Sequence, residues 1–367
     1  MAENLEDSQN SSKQTFTGLA KRLSRLSSDK RRAALEVSAS LAGVSLRASR
    51  EFVEAVPRAA KILAAEDLRL WGEMGRRLAM ANADAGAKFF ADGVADFKRI
   101  PAAAHSLIFQ ICTRQLVLSS SIALETFQTI SALAGEISDD ELLSDILKVA
   151  NEIAQRSAKH SADFLKATPP VAEKLKYFDT RKPAQSVINL AFAFASRTGG
   201  MTADLWQLLP VALKNLTAEQ TIRLTEKAID FLEFGGSVTL HFVSAGGEVL
   251  RRIEKVFDEW CEVLLKIAAH GNAVLIAFLR SSPKLFAQIV SLRNQAEVEN
   301  AARRVLLLIG EIAETDAESA LAAFRSSASA LRKVSLIQFE DWIRAGLEKD
   351  VKNQRARRSY FALETRR

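Results

Sequence analysis

The 367-residue sequence predicts an all-α chain, a superhelical α-solenoid of about nine helical-hairpin repeats of roughly 37 residues each. Three observations carry that expectation. The first is a recurrent pair of apolar anchors 18 residues apart: Ala34/Phe52, Trp71/Phe89, Phe109/Phe127, Ile146/Phe164, Val187/Leu205, Leu224/Phe242, Trp260/Phe278, Leu306/Phe324 and Trp342/Tyr360. The second anchor recurs at intervals of 37, 38, 37, 41, 37, 36, 46 and 36 residues. The second observation is independent of the aromatic phasing. Pro57, Pro169, Pro210 and Pro283, four of the chain's seven prolines, each lie five residues past a second anchor, where chance placement gives about 0.2. The third is composition: 48% hydrophobic and 26% charged, with only 16 Gly and 7 Pro, suits helices that bury a sizeable core.

Within each unit the residues read as two helices and a stop. The first helix has apolar residues at helical spacing, as in Leu224, Ala228, Phe231 and Leu232. Capping boxes are expected at Thr217 to Gln220, Ser138 to Glu141 and Thr315 to Glu318, where a hydroxyl and a carboxylate or amide three residues on satisfy exposed N–H groups. A turn precedes the second anchor by seven residues, at Asn82, Gly235, Gly271 or Asn353. The second helix places a small or medium residue four positions before its anchor, such as Ala48, Ala123 or Ala320, so that a neighbouring helix approaches closely. Proline is expected to end that helix, because its ring cannot continue the hydrogen-bond ladder. A short third segment such as 248–253 should lead into the next unit. One hairpin cannot cover its own apolar stripe, so the units are expected to stack with a continuous core, a HEAT-like arrangement. Trp260 and Phe278 are then expected to be inter-helix packing residues and not an aromatic ligand cage. Residues 1–30 are expected to form a disordered polar and basic tail and 31–367 a single array, with longer linkers near 177–185 and 292–300.

Sites of chemistry are sparse. His105, His160, His241 and His270 lie in different units, without the i, i+4 partner or Cys pair that metal ligation uses. Gly199-Gly200, Gly235-Gly236 and Gly246-Gly247 lack the Lys-Ser/Thr of a phosphate loop and read as helix stops. Asp139, Asp140 and Glu141 suit the first turn of a helix. Cys112 and Cys261 fall at apolar helical positions, and two cysteines fit a reducing compartment. No nucleophile, base and orienting group are assembled by spacing, so a non-catalytic chain without cofactor is expected. The polar N-terminus lacks a signal-peptide core, and the apolar window 263–279 falls short of the roughly 20 residues of a spanning helix; a cytoplasmic location is expected.

The net charge is +6. Residues 349–367 hold seven Lys/Arg against two acids and residues 1–32 seven against four, which leaves −2 for residues 33–348. A chain that tracks a nucleic-acid backbone carries basic residues unit after unit, so the alternative of a nucleic-acid-binding helical repeat is disfavoured.

The final unit, "FEDWIRAGLEKDVKNQRARRSYFALETRR" over residues 339–367, resembles a stretch of bacterial von Willebrand factor A domain proteins of the nitric oxide reductase activation and Rubisco activation type. Trp342, Gly346, Leu347, Tyr360, Phe361, Leu363, Glu364 and Arg366 carry the likeness. That family's Asp-x-Ser-x-Ser metal-ion-dependent adhesion site has no counterpart here, and no family site residue transfers. The resemblance implies an N-terminal helical adaptor region that works beside a MoxR-type AAA+ ATPase on a metalloenzyme or Rubisco. The last repeat ends seven residues after Tyr360 and is expected to be uncapped or truncated, leaving a partner-binding edge of Trp342, Leu347, Tyr360, Phe361 and Leu363 beside Arg355, Arg357 and Arg358.

Overall fold

The structure, a computed structural model, describes residues 21, 23–292, 295–335 and 338–348. Among the described residues all regular structure is helical and there is no strand. In chain order the helices are α1 (Ser28–Ala42), α2 (Leu46–Ala59), α3 (Ala65–Ala81), α4 (Ala83–Phe97), α5 (His105–Leu116), α6 (Ser120–Glu136), α7 (Asp140–Arg156), α8 (Ala158–Lys166) and α9 (Thr168–Leu175). Next come α10 (Arg181–Thr198), α11 (Thr202–Ala212), α12 (Ala218–Asp230), α13 (Gly236–Ile253), α14 (Phe257–Ala268), α15 (Asn272–Leu292), α16 (Gln295–Ala313) and α17 (Ala317–Lys333). Residues 339–348 are also helical.

Every anchor from Ala34 to Phe324 lies in one of these helices and is at most 3% exposed. The first anchors occupy α1, α3, α5, α7, α10, α12, α14 and α16, and the second anchors α2, α4, α6, α8, α11, α13, α15 and α17. The turns fall where local chemistry demands them. Ser45, Asn82 and Ser157 cap the second helices, their side-chain oxygens accepting backbone N–H bonds that the first turn leaves open. Gly235 and Gly271 adopt φ of 103° and 115°, a region costly for any residue with a Cβ.

The helices gather into two compact units. Described residues up to Tyr177, with Ala191–Gln207, form one, and Phe178–Leu190 with those from Leu208 onward form the other; the sequence reading expects one undivided array from residue 31. In the first unit α1 packs on α3, α3 on α5 and α5 on α7, while α2 packs on α4, α4 on α6 and α6 on α8. Phe52, Trp71, Phe89, Phe90, Phe97 and Phe127 link these helices at ring separations of 5.1–6.3 Å. In the second unit α13 packs on α15, α15 on α17 and α14 on α16. Stacked rings of Phe231, Phe242 and Trp260 and of Phe278 and Phe324 fill that core.

Several local expectations are corrected. Proline does not end the second helices: Pro57 and Pro210 lie two residues inside the ends of α2 and α11, Pro283 is internal to α15, and Pro169 opens α9. The first turn of a helix has no use for the missing N–H, and in α15 the hydroxyls of Ser281 and Ser282 donate to the carbonyls of Ala277 and Phe278 beside the break. The box at Thr217 forms as expected. At the other two the cap shifts one residue to Asp139 and Asp316, whose carboxylates each accept two N–H bonds where a hydroxyl was expected. Gly246 and Gly247 are not stops but sit within α13, where a Cβ on Gly247 would come 2.4 Å from the Ala212 carbonyl oxygen. The segment 248–253 is the end of that same helix, and α1 already begins at Ser28, inside the expected tail. Helix α15 is long and apolar enough over Asn272–Ser291 to cross a membrane by length and composition, which the window 263–279 was not. Its Leu275, Phe278, Leu279, Leu285, Phe286 and Ile289 are buried in the core.

Candidate functional site

The C-terminal residues singled out by the sequence are described only as far as Glu348. In helix 339–348, Phe339 and Ile343 are the buried residues, one turn apart. Trp342 and Leu347 are half-buried, and the Lys333 ammonium lies 5.7 Å from the Trp342 ring centroid. Trp342 is therefore not the fully enclosed anchor that the 18-residue pairing expects; the buried stripe runs through Phe339, three residues before it, and Ile343, one residue after it. Arg344 pairs with Glu311 at 2.7 Å and ties this helix to α16. Arg355, Arg357, Arg358, Tyr360, Phe361 and Leu363 lie outside the described residues.

Two shallow grooves of about 230 Å³ each mark the first unit. One runs between α1 and α3 past Glu36, Arg69, Gly72, Glu73 and Arg76. Arg69 bonds Glu36 and Glu66 at 3.1 Å, and Arg76 grips both oxygens of Glu73 at 2.7 and 2.8 Å. Those bonds, with one more from Arg77, hold the Glu73 carboxyl down at about 2. A carboxylate so held has no proton to give near neutral pH and is a poor base, so this cluster fastens α1 to α3 and lacks the makings of acid–base catalysis.

The second groove lies between α4 and α6, lined by Lys88, Phe89, Asp92, Gly93, Asp96 and Phe127 among others. Ser131 donates to Asp96 at 2.7 Å. Beneath Gly93 the buried indole nitrogen of Trp71 has no hydrogen-bond partner, 3.7 Å from where a Cβ on that glycine would stand. Its surface area is closed to solvent, so the donor faces packed helix and not the groove mouth.

The remaining chemistry-bearing residues stay apart. Burial drives both thiols, Cys112 and Cys261, far above the usual cysteine range, which makes them small apolar groups and not nucleophiles. His105 is enclosed, with Nε2 3.2 Å from the Ile100 carbonyl and Nδ1 3.6 Å from an Asp67 carboxylate oxygen. His241 Nε2 accepts from Arg280 at 3.0 Å, and burial followed by the guanidinium charge lowers its pKa. Among the described residues no three His, Cys, Asp or Glu side chains gather as a metal-ligand set.

The sequence reading missed how charge divides between helix layers in the second unit. A single total of −2 for residues 33–348 hides it, whereas a tally helix by helix reveals it. The chain matches no family model, no curated protein and no solved structure.

Proposed function

We propose that this chain is a non-catalytic recognition module, a superhelical α-solenoid of about nine hairpins that binds protein partners across the faces of successive helices. The observation that supports this reading is the pattern of long-range bonds. Arg47 to Asp84, Arg114 to Asn151, Trp206 to Thr168, Arg251 to Ala212, Asn272 to Phe234 and Arg303 to Glu259 each join residues 37 to 44 apart, one hairpin to the next. A chain whose hairpins hold chiefly to their neighbours keeps a large surface of parallel helices, and such surfaces act by docking. The grooves, small and shallow, favour this over a substrate pocket.

Following the resemblance of residues 339–367, the partner we propose is a MoxR-type AAA+ ATPase together with the metalloenzyme or Rubisco on which it works, met in part through Trp342, Leu347, Phe361 and Leu363. The test is association of the purified chain with a co-encoded MoxR-type ATPase, followed by light scattering and ATP turnover. Stable association that Phe361→Asp with Leu363→Asp weakens supports the reading. A wild-type chain that neither associates nor alters turnover overturns the ATPase link. The repeat itself is tested separately by truncation: chains ending near residues 135 or 216 should retain more helical circular dichroism per residue than chains ending inside a hairpin. Equal loss at every cut overturns it.

A further inference from the structure

In the second unit charge is sorted by layer. Helices α12, α14 and α16 together carry a formal charge of −4, and α13, α15 and α17 carry +5. Helix α15 is the extreme case, with Arg280 and Lys284 and no acid along its length. These two are exposed and one turn apart, so they share a face. Arg325 of α17, also exposed, reaches across to the same stretch.

The bonds of Arg280 and Arg325 differ from the carboxylate pairs of the same unit. Arg223 meets Asp258 at 2.9 Å, Arg303 meets Glu259 at 3.0 Å, and Lys266 meets Glu314 at 2.6 Å, each charge answered by a carboxylate. Arg280 instead donates to the neutral ring nitrogen of His241 at 3.0 Å, and Arg325 to the hydroxyl of Ser281 at 3.2 Å. Among the described residues no carboxylate pairs with Arg280, Lys284 or Arg325. Neutral acceptors orient the two guanidiniums without cancelling their charge, and each fork keeps N–H donors free for a bidentate oxygen ligand.

We infer that the face of α13, α15 and α17 built on Arg280, Lys284 and Arg325 docks an acidic polypeptide segment whose Asp or Glu carboxylates meet the three cations. The inference rests on the recognition reading above and gives its partner a chemistry. Charge complementarity selects an anionic partner. A polypeptide is favoured over nucleic acid because the corresponding second helices α4 and α6 each carry −2, so the basic face does not continue from hairpin to hairpin as a phosphate track requires.

The test uses the full chain, a fluorescein-labelled 20-residue glutamate-rich peptide and a 20-base-pair DNA duplex, with anisotropy read at low and at physiological salt. The peptide should bind, more weakly as salt rises. The triple variant Arg280→Gln, Lys284→Gln, Arg325→Gln should lose roughly tenfold in affinity. A charge-matched control, Lys61→Gln, Lys98→Gln, Arg99→Gln, should not, and the helical circular dichroism of both should equal wild type. Equal affinity of the triple variant and wild type would show that the basic termini hold the peptide and overturns the face. Duplex binding tighter than peptide binding, lost in the triple variant, overturns the polypeptide assignment in favour of nucleic acid. Either result leaves association with an ATPase, measured separately, to stand or fall by itself.

Discussion

The indole N–H of Trp260 donates to the hydroxyl of Ser282 at 3.0 Å, and that hydroxyl donates on to the carbonyl of Phe278. The same relay occurs in the first unit, from Trp206 to Thr168 at 3.1 Å and from Thr168 to the carbonyl of Phe164. In both, the hydroxyl lies four residues after a buried Phe and immediately before a proline. Each fastens a buried tryptophan of one helix to the backbone of another.

Removing the acceptor should strand a buried donor. We expect Ser282→Ala to destabilise the protein by about 1–3 kcal/mol in urea unfolding, since the indole N–H then lacks a partner. Ser282→Thr, which restores the arrangement at Thr168, should recover most of that loss. Equal stability of the Ala and wild-type chains would mean that the bond contributes nothing.

Trp71 packs against Phe52, Phe89, Phe90 and Phe97, but the position four residues after Phe89 is Gly93, and its indole nitrogen is unpartnered. A Cβ on Gly93 would meet its nearest atoms at 3.7–4.0 Å, ordinary contact distances. Gly93→Ala should therefore stabilise by about 0.5–1 kcal/mol through lower backbone entropy of the unfolded chain. Gly93→Ser should add up to about 1 kcal/mol more by supplying the missing oxygen. Thermal unfolding of the two variants side by side separates the contributions.

Gly247 is the opposite case, because the atom nearest its added Cβ is the backbone oxygen of Ala212 at 2.4 Å. Two helices would have to part to admit a methyl group. Gly247→Ala is expected to destabilise by about 1–3 kcal/mol and to lower the urea midpoint.

The depressed pKa of Glu73, about 2 against an ordinary carboxyl of 4.5, links stability to acid. Because the folded value is the lower one, the contribution is present in full above the unfolded value and is lost as pH falls through 4.5 toward 2. Glu73→Gln should flatten the decline of stability in that window and leave the slope above pH 6 unchanged. The group is partly exposed, so solvent screening should keep the change in slope small; chemical denaturation at pH 2.5, 4 and 7 measures it.

Cys112 and Cys261 should resist thiol reagents in the native state, since burial disfavours the thiolate of each. With a maleimide probe at pH 7.5, labelling is expected only at the rate of unfolding, and both thiols should react together in denaturant. Fast native labelling of either would mean that its helix opens locally.

What the sequence by itself determined is the helical period and the side each helix buries. Ala34, Trp71, Phe164, Leu205 and Phe324 are enclosed because an apolar stripe at 3.6-residue spacing can face only a neighbour, and that information sits within one or two turns of chain. The turns at Asn82, Gly235 and Gly271 were legible for the same reason, as a cap or a positive φ is a local demand.

The tertiary structure decided what depends on partners a hairpin away. Gly247 inside α13 turns on the Ala212 backbone that comes close in space, and a diglycine reads as a stop until that neighbour is known. The same holds for the candidate face. Arg280, Arg325 and Arg303 are indistinguishable in sequence, yet Arg303 meets Glu259 while Arg280 meets a neutral imidazole. An arginine's charge is fixed by its chemistry, but whether that charge is cancelled depends on what the next helix places beside it.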